Sequence, residues 1–222
     1  MIRALIFDFD GLILETEGPI FRAWQEIFAS HGVDLTLETW GAVIGTSDHT
    51  PPAVMLEQRL GKSLDHASLN AQQKARESEL IAMQAVRPGV EQYLKDARRL
   101  GLKIGLASSS SCRWVVGHLE RLGLHAYFDV ICARDDVRQT KPDPELYVRA
   151  LQALEVSGEE AIAIEDSPNG VLAAKRAGLY CVAVPNELTQ RLPLDHADLR
   201  IQSLEAMPLE ALLAHFERLH SP

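Results

Sequence analysis

No stretch of this sequence approaches the roughly 18 consecutive apolar residues that a membrane-spanning helix needs. The first apolar run, Ala4-Leu5-Ile6-Phe7, meets Asp8 too soon to serve as a signal-peptide core. The expectation is a cytoplasmic protein with no membrane partner. Clustered positive charge is missing as well: 22 Lys plus Arg stand against 31 Asp plus Glu, the formal net charge is -9, and no basic stretch of five or more occurs. That balance speaks against nucleic acid. Cysteine is scarce, and Cys112, Cys132 and Cys181 are odd in number and too widely spaced for a disulfide framework or a thiolate metal site. They are expected as ordinary buried or half-buried thiols. Internal repeats and low-complexity tracts are also absent. The 222 residues suit one domain or two.

What is present divides into two textures. The unbroken run Ala4 to Phe7 suits a strand buried on both faces of a parallel sheet. From about Glu17 to Gln84 no strand is evident, and apolar residues recur at helical spacing, as in Ile20, Phe21, Trp24, Ile27 and Phe28. This region predicts a bundle of about four helices whose aromatics, Trp24, Phe28 and Trp40, pack inside it. After Arg87-Pro88-Gly89 the texture changes again. Apolar strand-like runs at 103–108, 130–133, 161–164 and 181–184 alternate with helical patterns at about 90–100, 114–122, 144–154 and 170–177. A short strand near 199–202 and a helix over 209–219 follow. Such alternation predicts an α/β fold, a doubly wound parallel sheet with right-handed crossovers. The boundaries read as 1–16 with 85–222 for the core and 17–84 for the helical insert.

In sheets of this kind ligands bind at the carboxyl ends of the strands. The polar residues of this chain fall at those ends: Asp8 and Asp10 after the first strand, Ser108 and Ser109 after the second, Lys141 beyond the third, Glu165 and Asp166 at the fourth. Bare carboxylates at a strand tip are costly without a cation, and hard oxygens favour Mg²⁺, a metal often shared with a substrate phosphate. The set divides the labour of phosphoryl transfer. Asp8 can attack phosphorus, and Asp10 can give and take protons. Ser108 and Ser109, with nearby backbone amides, and Lys141 can hold the transferring oxygens. A Mg²⁺ on Asp8, the Asp10 main-chain carbonyl and Asp166 would bridge nucleophile and phosphate.

The stretches DFDGLILETE, GLASSSS, TKPDPELY and AIEDSPNG, in this order and spacing, resemble the four motifs of the haloacid dehalogenase superfamily. The branch they resemble is that of the beta-phosphoglucomutase-like phosphatases with an alpha-helical C1 cap, and the likeness runs from Ile2 to at least Pro185. The resemblance implies a Rossmann-like core, a mobile helical cap, and a Mg²⁺-dependent phosphatase acting through an aspartyl phosphate on a small phosphorylated metabolite such as a sugar phosphate. It assigns Asp8 as nucleophile, Asp10 as acid/base, Ser108 and Lys141 as phosphate holders, and Asp166 as metal ligand. Glu165 is implied at the metal directly or through water.

Departures from the family pattern bear on substrate. Glu15, beside Thr16 at the cap hinge, replaces the usual Asp. Ile20 stands where the branch's sugar phosphomutases carry His, and Asp48 lies near where they carry Arg, so hydrolysis is expected over mutase action. Lys74 and Arg76 are candidate cap cations, weighed against a solvated helix face, and Asn169 is a candidate helix start. A dehalogenase would lack Asp10. A phospho-receiver or other binding module would lack the insert after the first strand. No feature indicates the oligomeric state, and a monomer is slightly favoured.

Overall fold

A computed structural model describes residues 1–41 and 50–219. Six strands form one sheet: β1 (Ala4–Phe7), β2 (Lys103–Ala107), β3 (Val130–Cys132), β4 (Ala161–Glu165), β5 (Tyr180–Ala183) and β6 (Leu199–Arg200). Every pairing is parallel and the order is β3-β2-β1-β4-β5-β6. This is the Rossmann-like α/β fold, doubly wound about β1. Every residue of β1 and β4 is buried, the condition under which strands read as continuous apolar runs rather than alternating ones.

Helices α1 (Glu17–Ser30), α2 (Leu37–Gly41), α3 (Pro52–Leu60) and α4 (His66–Ala82) come between β1 and β2. Helices α5 (Val90–Arg99), α6 (Cys112–Arg121), α7 (Glu145–Leu154), α8 (Pro168–Arg176) and α9 (Leu209–Leu219) belong to the α/β rhythm. Leu146, Tyr147, Ala150 and Leu151 of α7 and Val171, Ala173 and Ala174 of α8 share a buried cluster with Ile6, Ala163 and Cys181 of the sheet. A Leu, Val or Ile taken from water to such a core contributes about 1.5–3 kcal/mol. The apolar stripes of α7 and α8 are therefore what hold the crossovers against the sheet.

The chain divides into two compact units, Met1–Leu14 with Ala85–Pro222, and Glu15–Gln84. Glu15 and Thr16 thus belong with the helices. In the helical unit Trp24, Ile27, Phe28, Trp40, Leu56, Leu69, Leu80 and Ile81 are buried. Trp24 and Phe28 meet edge to face at 6.5 Å between ring centroids, and Phe21 and Trp40 are 5.5 Å apart. Two local expectations are corrected. Cys132 and Cys181 are buried, but Cys112, the first residue of α6, is exposed, the buried positions of that helix being Val115 and Leu119. Helix α8 is capped by Ser167, whose hydroxyl accepts from the Gly170 N–H at 3.1 Å, with Pro168 leading the first turn rather than Asn169. Among the described residues no helix is long and apolar enough to cross a membrane.

Candidate active site

β1 delivers the first carboxylate by its own hydrogen bonding. The Asp8 N–H continues the ladder to the Ile164 carbonyl at 2.9 Å, and the chain then turns sharply, with the Phe9 carbonyl accepting from Leu12, Ile13 and Leu14. Phe9, Leu12, Ile13 and Leu14 are buried. Their burial anchors the loop that carries Asp8 and Asp10. Gly11, at φ +79°, permits the turn, and a Cβ there would stand 2.2 Å from Asp166 Oδ2. Glycine at this position lets the Asp166 carboxylate, from the end of β4, slide beneath the Asp8–Asp10 loop.

Lys141 reaches the same place from the loop after β3. That loop is tied down at several points: Glu145 accepts from the Arg138 and Gln139 N–H groups at 2.9 and 3.2 Å, and Arg176 donates to the Pro142 carbonyl at 2.9 Å. The Lys141 ammonium donates to Asp8 Oδ1 at 2.5 Å and Glu165 Oε1 at 2.6 Å. Its side chain is only 5% exposed. Glu165, fully buried, also accepts from the Tyr147 hydroxyl at 2.5 Å. Only a glycine at 170 leaves space for this carboxylate, since a Cβ there would come within 1.9 Å of it.

Two carboxylates around one buried ammonium leave an excess negative charge. Burial pushes the Asp8 carboxyl up to about 8, against the pull of Lys141 and with a further rise from Glu165. For Lys141, burial alone would lower the ammonium's pKa, but Asp8 and Glu165 outweigh it and raise it. The cluster is thus short of positive charge. Oxygen atoms of Asp8, Glu165 and Asp166 lie within 4.8 Å of one another, all three residues buried. This all-oxygen donor set, gathered where Gly11 makes room, fits Mg²⁺.

The remaining expected residues separate into those brought to this place and those not. Ser108 is buried, and its hydroxyl stands 3.5 Å from Asp10 Oδ2. Ser109 is exposed, and Ser110 takes the place beside Asp10, donating to Oδ2 at 2.7 Å. The Asp10 side chain turns toward these serines, apart from the three-carboxylate cluster. In the helical unit, Glu15 accepts from the Gly18 N–H at 2.9 Å and so caps α1, next to buried Thr16. Ile20 is half-buried on α1. Lys74 donates to Glu77 at 2.9 Å, and Arg76 pairs with Glu26 and Glu79 at 2.7 and 2.9 Å. Asp48 lies outside the described residues.

Several residues at the site were not anticipated. Asn186, buried beyond β5, donates through Nδ2 to Asp166 Oδ2 at 2.9 Å, while its Oδ1 accepts from the Leu188 and Thr189 N–H groups. The available signal was position: a polar residue just past the next strand of the same rim. Arg87, which reads only as the return from the helical insert, donates to the carbonyls of Gly11 and Pro185. Trp114 Nε1 donates to Asp10 Oδ1 at 3.0 Å. Nothing in its sequence surroundings separates it from a helix packing residue.

A parallel sheet whose order reverses at β1, with buried carboxylates and a lysine at the carboxyl ends of its strands, is an α/β arrangement of the kind that suits phosphoryl transfer. Residues 5–184 match the family model described as haloacid dehalogenase-like hydrolase. The chain is 50% identical over 215 residues to YhcW of Bacillus subtilis (strain 168), covering 97% of this chain and 98% of that one. It is 33% identical over 181 residues to the phosphorylated carbohydrates phosphatase of Thermotoga maritima, covering 80% and 82%. Among solved structures, CbbY from Rhodobacter sphaeroides in complex with phosphate superposes with a TM-score of 0.73 at 33% identity, covering 96% of this chain and 99% of that one. The chain belongs to the haloacid dehalogenase-like hydrolases.

Proposed function

We propose that this phosphoric monoester hydrolase cleaves a small phosphorylated metabolite, a sugar phosphate by preference, through a phosphoryl group carried on Asp8. The observation that carries the reading is the Lys141 ammonium bonded to both Asp8 and Glu165 inside a buried three-carboxylate cluster. An Asp8 carboxylate oxygen attacks phosphorus as the ester P–O bond breaks, and the departing oxygen takes its proton from Asp10. Water then loses a proton to Asp10 and attacks the same phosphorus, freeing orthophosphate and restoring the Asp8 carboxylate. Ser108 and Lys141 hold the transferring oxygens throughout. Asp8, Glu165, Asp166 and the Asp10 carbonyl are the groups to hold Mg²⁺. When bound, Mg²⁺ supplies the positive charge that keeps Asp8 ionised and offsets the charge of the phosphate.

The sugar preference leans on the Thermotoga maritima relative, named for phosphorylated carbohydrates. A role of 17–84 as the cap that selects among esters belongs to the same proposal. Hydrolysis is favoured over mutase action because residue 20 is Ile. The test is phosphate release with Mg²⁺ across sugar phosphates, polyol phosphates, nucleotides and phosphoglycolate. Asp8→Asn is expected to remove turnover on every substrate that the unaltered enzyme accepts; substantial remaining release would overturn Asp8 as the nucleophile.

A further inference from the structure

The two oxygens of Asp10 meet different chemistry. Oδ1 accepts from the Trp114 indole N–H at 3.0 Å. Oδ2 accepts from the Ser110 hydroxyl at 2.7 Å, with the Ser108 hydroxyl 3.5 Å away. An indole N–H can only donate, whereas a hydroxyl donates or accepts. A proton placed on Oδ1 would oppose the indole N–H, while a proton on Oδ2 is accommodated by a turn of the Ser110 hydroxyl. The indole itself is held in place. Its backbone N–H donates to the Ser111 hydroxyl at the start of α6, its ring meets His118 edge-on at 4.4 Å, and His118 lies over Phe9, the chain neighbour of Asp10, at 6.3 Å.

We propose that Trp114 is a positioning residue for proton transfer by Asp10. Its N–H occupies Oδ1 and leaves Oδ2, on the Ser108 side, as the oxygen that protonates the departing ester oxygen and later deprotonates water. This rests on the proton-transfer role given to Asp10 above.

The consequence depends on the leaving group. An alkyl phosphate, such as a sugar phosphate, must have its departing oxygen protonated, whereas p-nitrophenyl phosphate releases a stable anion. The value of kcat/KM, which reports the steps up to loss of the alcohol or phenol, separates the two. Trp114→Phe keeps a ring and removes the N–H. It is expected to lower kcat/KM for the alkyl ester about 10- to 100-fold and for the aryl ester about 3-fold or less, a range set by what misplaced acid/base groups lose. The ratio of the two values cancels the folded fraction, and Trp114→Leu repeats the measurement should the Phe ring unsettle α6. Asp10→Asn serves as the reference. If Asp10→Asn fails to discriminate between the esters, the acid/base reading of Asp10 is wrong. If it discriminates while both Trp114 variants lower the two esters equally, or lower neither, Asp10 stands and the role of Trp114 is overturned.

Discussion

The carboxylate cluster of the α/β unit and the Arg76 pairs of the helical unit hold charge in opposite ways. At the cluster of the α/β unit the contacts join distant parts of the chain: the buried Lys141 and Asp8 side chains meet across 133 residues, and half-buried Trp114 and Asp10 meet across 104. In the helical unit Arg76 pairs with Glu79 three residues on and with Glu26 of α1, all of these side chains at least 40% exposed. Exposed pairs gain little because water screens them and two long side chains must be ordered. Buried ones are costly to break because the surviving partner is left uncompensated. The difference separates a buried ion cluster from ion pairs on a solvated helix surface.

That contrast can be broken most directly at Lys141. Lys141→Met leaves the Asp8 and Glu165 carboxylates without their ammonium, and an unfolding free energy lower by about 3–5 kcal/mol is expected in denaturant titrations without metal. Added Mg²⁺ should recover part of the loss; equal stability of variant and parent would show that the cluster is not under charge strain.

A second test uses pH. The folded-state value of Asp8, raised to about 8, lies above that of an unfolded aspartate. Its contribution to stability is therefore fully present below about pH 4, and declines as pH rises through about 8, by at most about 1.4 kcal/mol per unit. Thermal melts of the metal-free protein between pH 5 and 8 should show this downward slope, and Asp8→Asn should flatten it.

The Asn186 bond to Asp166 gives a smaller effect. Asn186→Ala is expected to weaken Mg²⁺ binding, measured by calorimetry, about 10-fold or somewhat more, since a supporting hydrogen bond orients a metal ligand rather than supplying one. Unchanged binding would confine Asn186 to closing its own turn. At the far end, Arg76→Ala should leave the melting temperature without a resolvable shift. A clear drop there would erase the distinction between the buried cluster and the exposed pairs.

Much of this was legible in the residues. Apolar runs such as Ala4-Leu5-Ile6-Phe7 predict strands buried on both faces, and the spacing of Trp24, Ile27 and Phe28 predicts a helix with one buried stripe; both stand in the structure. Asp8, Ser108, Lys141, Glu165 and Asp166 were expected together because strand ends in a doubly wound sheet share one rim, and the structure gathers Asp8, Lys141, Glu165 and Asp166 in one cluster with Ser108 beside Asp10. Ser110, Trp114 and Asn186 escaped for a common reason. Each acts through a bond to a residue 20 or more positions away, and its own neighbours describe only a serine run, a helix and a turn.

The opening stretch from Asp8 to Glu17 shows where local pattern ends and tertiary structure begins. Composition and periodicity determined that its aspartates follow a buried strand, because burying apolar side chains is a local preference repeated along the chain. Which oxygen faces which partner was decided only by the fold. Gly11 lets Asp166 pass beneath the loop, Lys141 arrives from the loop after β3, and Trp114 bonds one oxygen of Asp10 while Ser110 bonds the other. Hydrogen bonds and ion pairs act over a few ångströms in space, and only the folded sheet with its loops brings these groups within that range.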